Sequence, residues 1–130
     1  LASPESQVIA LVGDGSFAFC PFEIETAVRL NLPLTFILFN NGCFSWIKTL
    51  QNLYCNKEYF SVDFSAVNYC SLVEALGCKT TKLIEPDQIK PALQRAFKSR
   101  EPWFIEVVVK PLHLQLPPVA PWLEIVKQKE

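Results

Sequence analysis

Two short apolar runs, VIALV over residues 8–12 and LTFILF over residues 34–39, each break off into a polar turn, and this pairing constrains the chain more than any other feature. The first run leads into Gly13-Asp14-Gly15-Ser16 and the second into Asn40-Asn41, with Asp14 and Asn41 27 positions apart. Both runs are rich in β-branched and aromatic residues and suit strands buried on two faces, as in a parallel sheet. Between them, Pro21 opens a segment ending near Asn31, with Ile24, Ala27 and Val28 at helical spacing and Glu23 and Glu25 near its positive end. The unit reads strand, helix, strand. Parallel strands joined by a helix point the same way, so both turns are expected at one edge of the sheet, where sequence separation becomes proximity.

The pattern continues. A polar and aromatic connection (residues 42–62) is followed by helical periodicity from Phe64 to Leu76, with Asp63 as its cap and Gly77 as its stop. Cys78 to Ile84 is a third strand candidate. Pro86 and Asp87 open a helix to about Ser99 whose inward stripe is Ile89, Leu93, Ala96 and Phe97, which places Pro91 near its first turn. WFIEVVV, residues 103–109, is the fourth strand. Pro111, Pro117, Pro118 and Pro121 then disfavour any regular element before Trp122, so the tail is expected to wander over the surface or a neighbouring subunit. The predicted fold is α/β, a doubly wound, mostly parallel sheet in one compact domain, with right-handed crossovers and a ligand crevice beyond the strand carboxyl ends.

A formal net charge of −1 offers nothing to recruit nucleic acid or an anionic membrane, so neither is expected as a partner. Five cysteines without a CxxC pair argue against a disulfide framework and a zinc site. They suggest reduced, mostly buried thiols in a cytoplasmic protein. No apolar run approaches the ~20 residues of a membrane span, and the N-terminal residues lack the pattern of a secretory signal. The absence of methionine, together with the opening LASPESQ, which resembles the end of a helix, suggests a piece of a longer polypeptide.

At the two turns, the carboxylate of Asp14, the amide oxygen of Asn41 and a nearby backbone carbonyl form a hard oxygen set. An incomplete set of this kind leaves positions for phosphate oxygens and water around Mg²⁺. Gly13 and Gly15 would allow close backbone approach and unusual φ values, and the amides of Gly15 and Ser16 could face a phosphate. Neither loop holds a lysine or arginine, so a metal would supply the compensating charge. By itself GDG is an ordinary turn. The paired asparagines at matched spacing are what make it specific.

These residues closely resemble the thiamine-diphosphate signature, GDG followed after about two dozen residues by NN. GDGSFAFCPFEIETAVRLNLPLTFILFNN is similar to the cofactor-binding domain of the acetolactate synthase, pyruvate oxidase and benzoylformate decarboxylase superfamily, in which GDGSF, an E-x-x-TA-x-R helix and LP before the second strand recur. The resemblance covers about residues 7–109. It implies a thiamine-diphosphate and Mg²⁺ domain over residues 1–110, shortened at its N-terminus, and a Pro-rich tail over 111–130. By the same resemblance Asp14, the Asn41 side chain and the Cys43 carbonyl would bind Mg²⁺. Gly13, Gly15, Ser16 and Phe44 would join them around the cofactor.

The family acts on 2-oxo acids as decarboxylases or carboligases. Its activating glutamate is carried by a pyrimidine-binding domain elsewhere in the chain or on a partner subunit, usually in a homodimer or homotetramer. No catalytic residue is therefore assigned here, and the segment by itself is expected to be inactive. After NN the acetolactate synthases typically carry Gly-Met and then Gln-Trp, whereas this chain has Ser45, Trp46, Thr49 and Leu50, which leaves the substrate open.

Several residues keep two readings. Trp46 and Phe44 either line the substrate pocket or pack. His113, the single histidine, either reaches a site from the tail or lies at the surface. Glu23 and Glu25 are ordinary partners of a helix dipole. Two other functions remain open: the small subunit of a two-chain 2-oxo acid decarboxylase or oxidoreductase, and a non-catalytic α/β module binding a phosphate-bearing cofactor. The cysteines offer no grouping for an iron–sulfur cluster.

Overall fold

The computed structural model describes residues 6–115 and 119–128, which fall into two compact units. The first comprises Leu1–Asn40 and Val67–Val109, the second Asn41–Ala66 and Lys110–Glu130.

The first unit holds a four-stranded sheet built from β1 (Val8–Gly13), β2 (Leu34–Asn40), β3 (Lys79–Leu83) and β4 (Trp103–Val108). Their order is β1-β2-β4-β3 and every pair is parallel. Alternation along β4 explains why it sits inside: Phe104 and Ile105 are both almost fully buried but point to opposite faces. On one face Phe104 and Leu38 meet Phe17 from α1 (Asp14–Phe17), Ile24 from α2 (Glu23–Arg29), and Tyr69 and Val73 from α4 (Tyr69–Ala75). On the other, Ile105 and Leu83 meet Ala92 and Ala96 from α5 (Ile89–Ser99). Helices on both faces of a parallel sheet make the doubly wound α/β arrangement that the sequence predicts.

Local expectations shift in instructive ways. β1 is an edge strand with one neighbour in the described sheet, so Val8, Ile9 and Leu11 are exposed (Leu11 65%) rather than buried on both faces. The predicted helix from Phe64 shortens to α4, because Asn68 rather than Asp63 caps it, accepting from Ser71 N at 3.1 Å. Gly77 does end it, at φ 86°. Pro86–Gln88 form a 3-10 turn ahead of α5, and the buried stripe runs through Ala92 and Ala96 while Ile89 is exposed.

The second unit is organised around α3 (Ser45–Tyr54), a helix inside what the sequence presents as a connection. Cys43 bridges Asp63 in antiparallel fashion, Phe44 N donates to Val62 O at 2.8 Å, and Phe64 N donates to Gly42 O at 2.9 Å. Asp63 is thus spent on this bridge and on an ion pair with Lys48. The tail is more regular than its prolines suggest, with a 3-10 turn at Leu112–Leu114 and α6 at Ala120–Lys127. Pro121 occupies the first turn of α6, where its missing donor costs nothing. Leu112 N docks on Ser45 Oγ at 2.7 Å. Leu1–Glu5, Pro117 and Pro118 lie outside the described residues.

Candidate functional site

In the first unit Gly13 pairs with Phe39 across parallel strands, so β1 and β2 leave the sheet at the same carboxyl edge. Asp14 follows directly, 2% exposed, with its Oδ1 accepting from Gly15 N at 2.9 Å. Gly15 is buried and Ser16 exposed. The Gly15 amide is therefore turned to the neighbouring carboxylate. The expected unusual φ values do not occur here: Gly13 is extended at φ −87°, and the glycines with left-handed φ are Gly42 and Gly77. A Cβ on Gly13 would meet nothing within 4 Å, so open space rather than backbone conformation distinguishes this position.

Asn40 ends β2. Its Nδ2 donates to Glu106 Oε1 at 2.7 Å and its carbonyl accepts from Val109 N at 2.9 Å. Glu106, on β4, is fully buried and also pairs with Lys82 Nζ at 2.8 Å, while Cys70 Sγ lies 3.4 Å from Oε2. Burial pushes the Cys70 thiol up to about 11, helped by the hydrogen bond to Glu106 and its charge. Burial likewise raises Tyr69, and the charges of Asp14 and Glu106 raise it further. Lys82 offsets the Glu106 charge, which leaves the Asp14 carboxylate as the negative group at the end of β1. The sequence motif presents Asn40 only as half of the asparagine pair, and Glu106 lies outside it. A lone carboxylate within the apolar run WFIEVVV was the available signal, since a buried charge needs partners.

In the second unit Asn41, Gly42, Cys43 and Phe44 form one turn. Asn41 Oδ1 accepts from Cys43 N at 3.2 Å and faces Cys43 Sγ at 3.4 Å, which orients the amide. Cys43 is buried, and Phe44 stacks edge-on against Phe64 with centroids 4.6 Å apart. Trp46, in the first turn of α3, is 53% exposed. His113 is half-buried, and its ring lies edge-on to Tyr59 at 5.6 Å. Its Nδ1 is shielded, with no hydrogen-bond partner among the described residues. Burial lowers its pKa, as does Lys48, against the opposing effect of Asp63. Glu23 and Glu25 sit in the first turn of α2, with Glu25 paired to Arg29, which fits their helix-dipole reading.

The donor chemistry fits a hard cation. Among the described residues no three His, Cys, Asp or Glu side chains cluster as a metal-binding group. A cation at the end of β1 would instead meet the single Asp14 carboxylate, a hard oxygen ligand of the kind Mg²⁺ takes with phosphate and water. The five cysteines are free thiols: Cys43 and Cys78 are buried, Cys70 is intermediate, and Cys20 and Cys55 are exposed, so mostly buried thiols are not what the fold produces. No described helix is long and apolar enough to cross a membrane.

Comparison with known proteins identifies the family. Residues 1–107 match the family model described as "Thiamine pyrophosphate enzyme, C-terminal TPP binding domain". The chain is 31% identical, over 93% of its length, to the "Probable acetolactate synthase large subunit" of Methanocaldococcus jannaschii, of which it covers 20%. It is 33% identical, over 85% of its length, to the 2-hydroxyacyl-CoA lyase of Oryza sativa subsp. japonica, again covering 20%. Among solved structures, the thiamine diphosphate-dependent 4-hydroxybenzoylformate decarboxylase of Rhodococcus jostii RHA1 superposes with a TM-score of 0.79 at 27% identity, covering 84% of this chain and 21% of the other. The chain thus spans about a fifth of the length of these relatives.

Proposed function

The chain belongs to the thiamine pyrophosphate enzymes, through their C-terminal TPP-binding domain, and from that premise we propose that it is the thiamine-diphosphate- and Mg²⁺-binding portion of an enzyme that decarboxylates a 2-oxo acid and can join the product to a second carbonyl compound. The observation that carries this reading is the parallel pairing of β1 and β2, which brings the ends of both motif strands to one edge of the sheet. Asp14 and the Asn41 amide oxygen, with the carbonyl of Cys43, would hold the cation. Gly13 leaves room beside it, and Gly15, Ser16 and Phe44 would border the cofactor. Bound thiamine diphosphate supplies the electron sink for loss of carbon dioxide. The work of these residues is to bind and orient: the buried Asp14 carboxylate provides charge for the cation, and Gly15 N keeps that carboxylate in place.

On this reading residues 1–110 form the binding domain and residues 111–130 an accessory tail, acting in the cytoplasm. The activating glutamate comes from a pyrimidine-binding domain in the rest of the polypeptide or on a partner subunit, within a homodimer or homotetramer. The names of the relatives, a synthase, a lyase and a decarboxylase, support cleavage or formation of a bond beside a carbonyl. Calorimetric titration of the complete protein with thiamine diphosphate, with and without MgCl₂, tests the proposal. Binding should require Mg²⁺ and weaken by at least about tenfold, ~1.4 kcal/mol, in Asp14→Ala and Asn41→Ala. Equal affinity in wild type and Asp14→Ala would remove Asp14 from the metal shell.

A further inference from the structure

Glu106 is the least expected charge in the first unit. It is 0% exposed on β4, a strand with neighbours on both sides. A carboxylate leaves water only at a cost that an ion pair and hydrogen bonds must offset, and here both oxygens are engaged. Oε1 accepts from Asn40 Nδ2 and faces Lys82 Nζ, while Oε2 faces the Cys70 thiol. A buried carboxylate paired with a half-exposed lysine often stabilises a fold no better than well-packed apolar side chains of the same volume. Stability therefore does not account for the charge. Placement does: of the three partners, Asn40 alone stands at the carboxyl end of β2. The residue that follows β4 also holds its backbone, through Val109 N to Asn40 O. Glu106 on β4 and Val109 just past its end thus grip Asn40 at side chain and carbonyl, and Asn40 carries the peptide bond to Asn41.

We propose that Glu106 is a positioning residue for the cofactor-binding turn. Steadied by Lys82, it locks Asn40 and so fixes the point from which Asn41 is presented. The asparagine pair then divides its work, the first anchoring and the second ligating. This rests on the reading of Asn41 as a ligand of the Mg²⁺ that accompanies thiamine diphosphate. It extends that reading to two residues outside the proposed ligand set.

The test uses the complete protein and the variants Glu106→Met, Glu106→Gln and Asn40→Ala. Calorimetry with thiamine diphosphate and MgCl₂ should show cofactor affinity weakened about tenfold or more in Glu106→Met, as is usual when a group behind a metal ligand is lost. Glu106→Gln retains an oxygen for the Asn40 amide and should stay within about threefold of wild type. The double variant Glu106→Met/Asn40→Ala should bind no more weakly than the worse single one, because both break one link. In the cofactor-free protein, hydrogen exchange at the backbone amides of residues 40–42 should quicken in Glu106→Met and not in Glu106→Gln.

Wild-type affinity and exchange in Glu106→Met, or losses that add in the double variant, would overturn the proposal. Should Glu106→Met fail to fold, Lys82→Met, which removes a half-exposed partner, and Asn40→Ala carry the same comparisons. If Asn41→Ala leaves Mg²⁺-dependent binding untouched, the ligand assignment fails. The exchange data on cofactor-free protein still decide whether Glu106 locks Asn40.

Discussion

Removing the ring of Phe17 probes how the core supports the candidate site. Phe17 ends α1, three residues after Asp14, and is only 6% exposed. Its ring lies 5.2 Å from that of Phe104, tilted by 47°, and 6.0 Å from that of Tyr69, nearly perpendicular at 73°. Truncating a buried Phe to Ala loses its transfer free energy and leaves a cavity, together about 3–5 kcal/mol. Both partner rings lie within the separations at which aromatic pairs add roughly 0.5–1.5 kcal/mol each beyond area burial. Phe17→Leu, which keeps most of the apolar volume but loses both pairs, should therefore cost about 1–3 kcal/mol. Against a total stability of roughly 5–15 kcal/mol the alanine variant gives up a large share. Equilibrium urea unfolding reads these losses as shifts in midpoint at constant slope. A cycle with Phe104→Leu should return a coupling of about 0.5–1.5 kcal/mol. A loss below about 1 kcal/mol in Phe17→Ala, well under the range for a buried ring, would refute the view that Phe17 ties the Asp14 turn to the core.

Gly77→Ala should destabilise by about 1–2 kcal/mol in chemical denaturation, from the left-handed backbone alone. At φ 86° the new Cβ would also lie 3.3 Å from Val28 Cγ1. For His113, burial first and Lys48 second lower the folded pKa below the ordinary 6.5, so the unfolded chain binds more protons in the interval between the two values. Stability should be complete above pH 6.5, fall as pH drops through that interval, and level off below it. Thermal midpoints at pH 5.5 and 7.5 should differ less in His113→Phe than in wild type. Iodoacetamide at pH 8 followed by mass spectrometry should label the exposed Cys20 and Cys55 first. Cys70 and Cys78, both pushed up to about 11, hold only about one part in a thousand as thiolate and should lag. Glu106→Gln, by removing a charge that raises Cys70, should speed labelling there.

Much of this was legible because it is local. β1, β2 and β4 are recognisable as apolar runs of strand length, α2 and α5 as periodic segments, and Gly77 as a helix stop; the strands and α2 fall within a residue or two of their expected bounds, while α5 starts three residues after Pro86, behind a 3-10 turn. Elements whose form depends on distant partners were not legible. α3, residues 45–54, presents itself in sequence as connection because it carries few strong start signals, and Phe44 gives it no side-chain cap. Asp63 looked like a helix cap, but a bridge to Cys43 and an ion pair with Lys48 claimed it.

What the amino-acid order determined by itself was the alternation of strands and helices and the two turns that follow β1 and β2, because backbone propensity and side-chain periodicity are properties of neighbouring residues. Only tertiary structure decided that β4 lies between β2 and β3, that Leu11 faces outward at the edge, and that Glu106 finds Asn40, 66 positions away, across a shared strand register. Those outcomes follow from which strand can bury both faces and from the need of a carboxylate out of water for partners, and neither condition can be evaluated until the sheet is assembled.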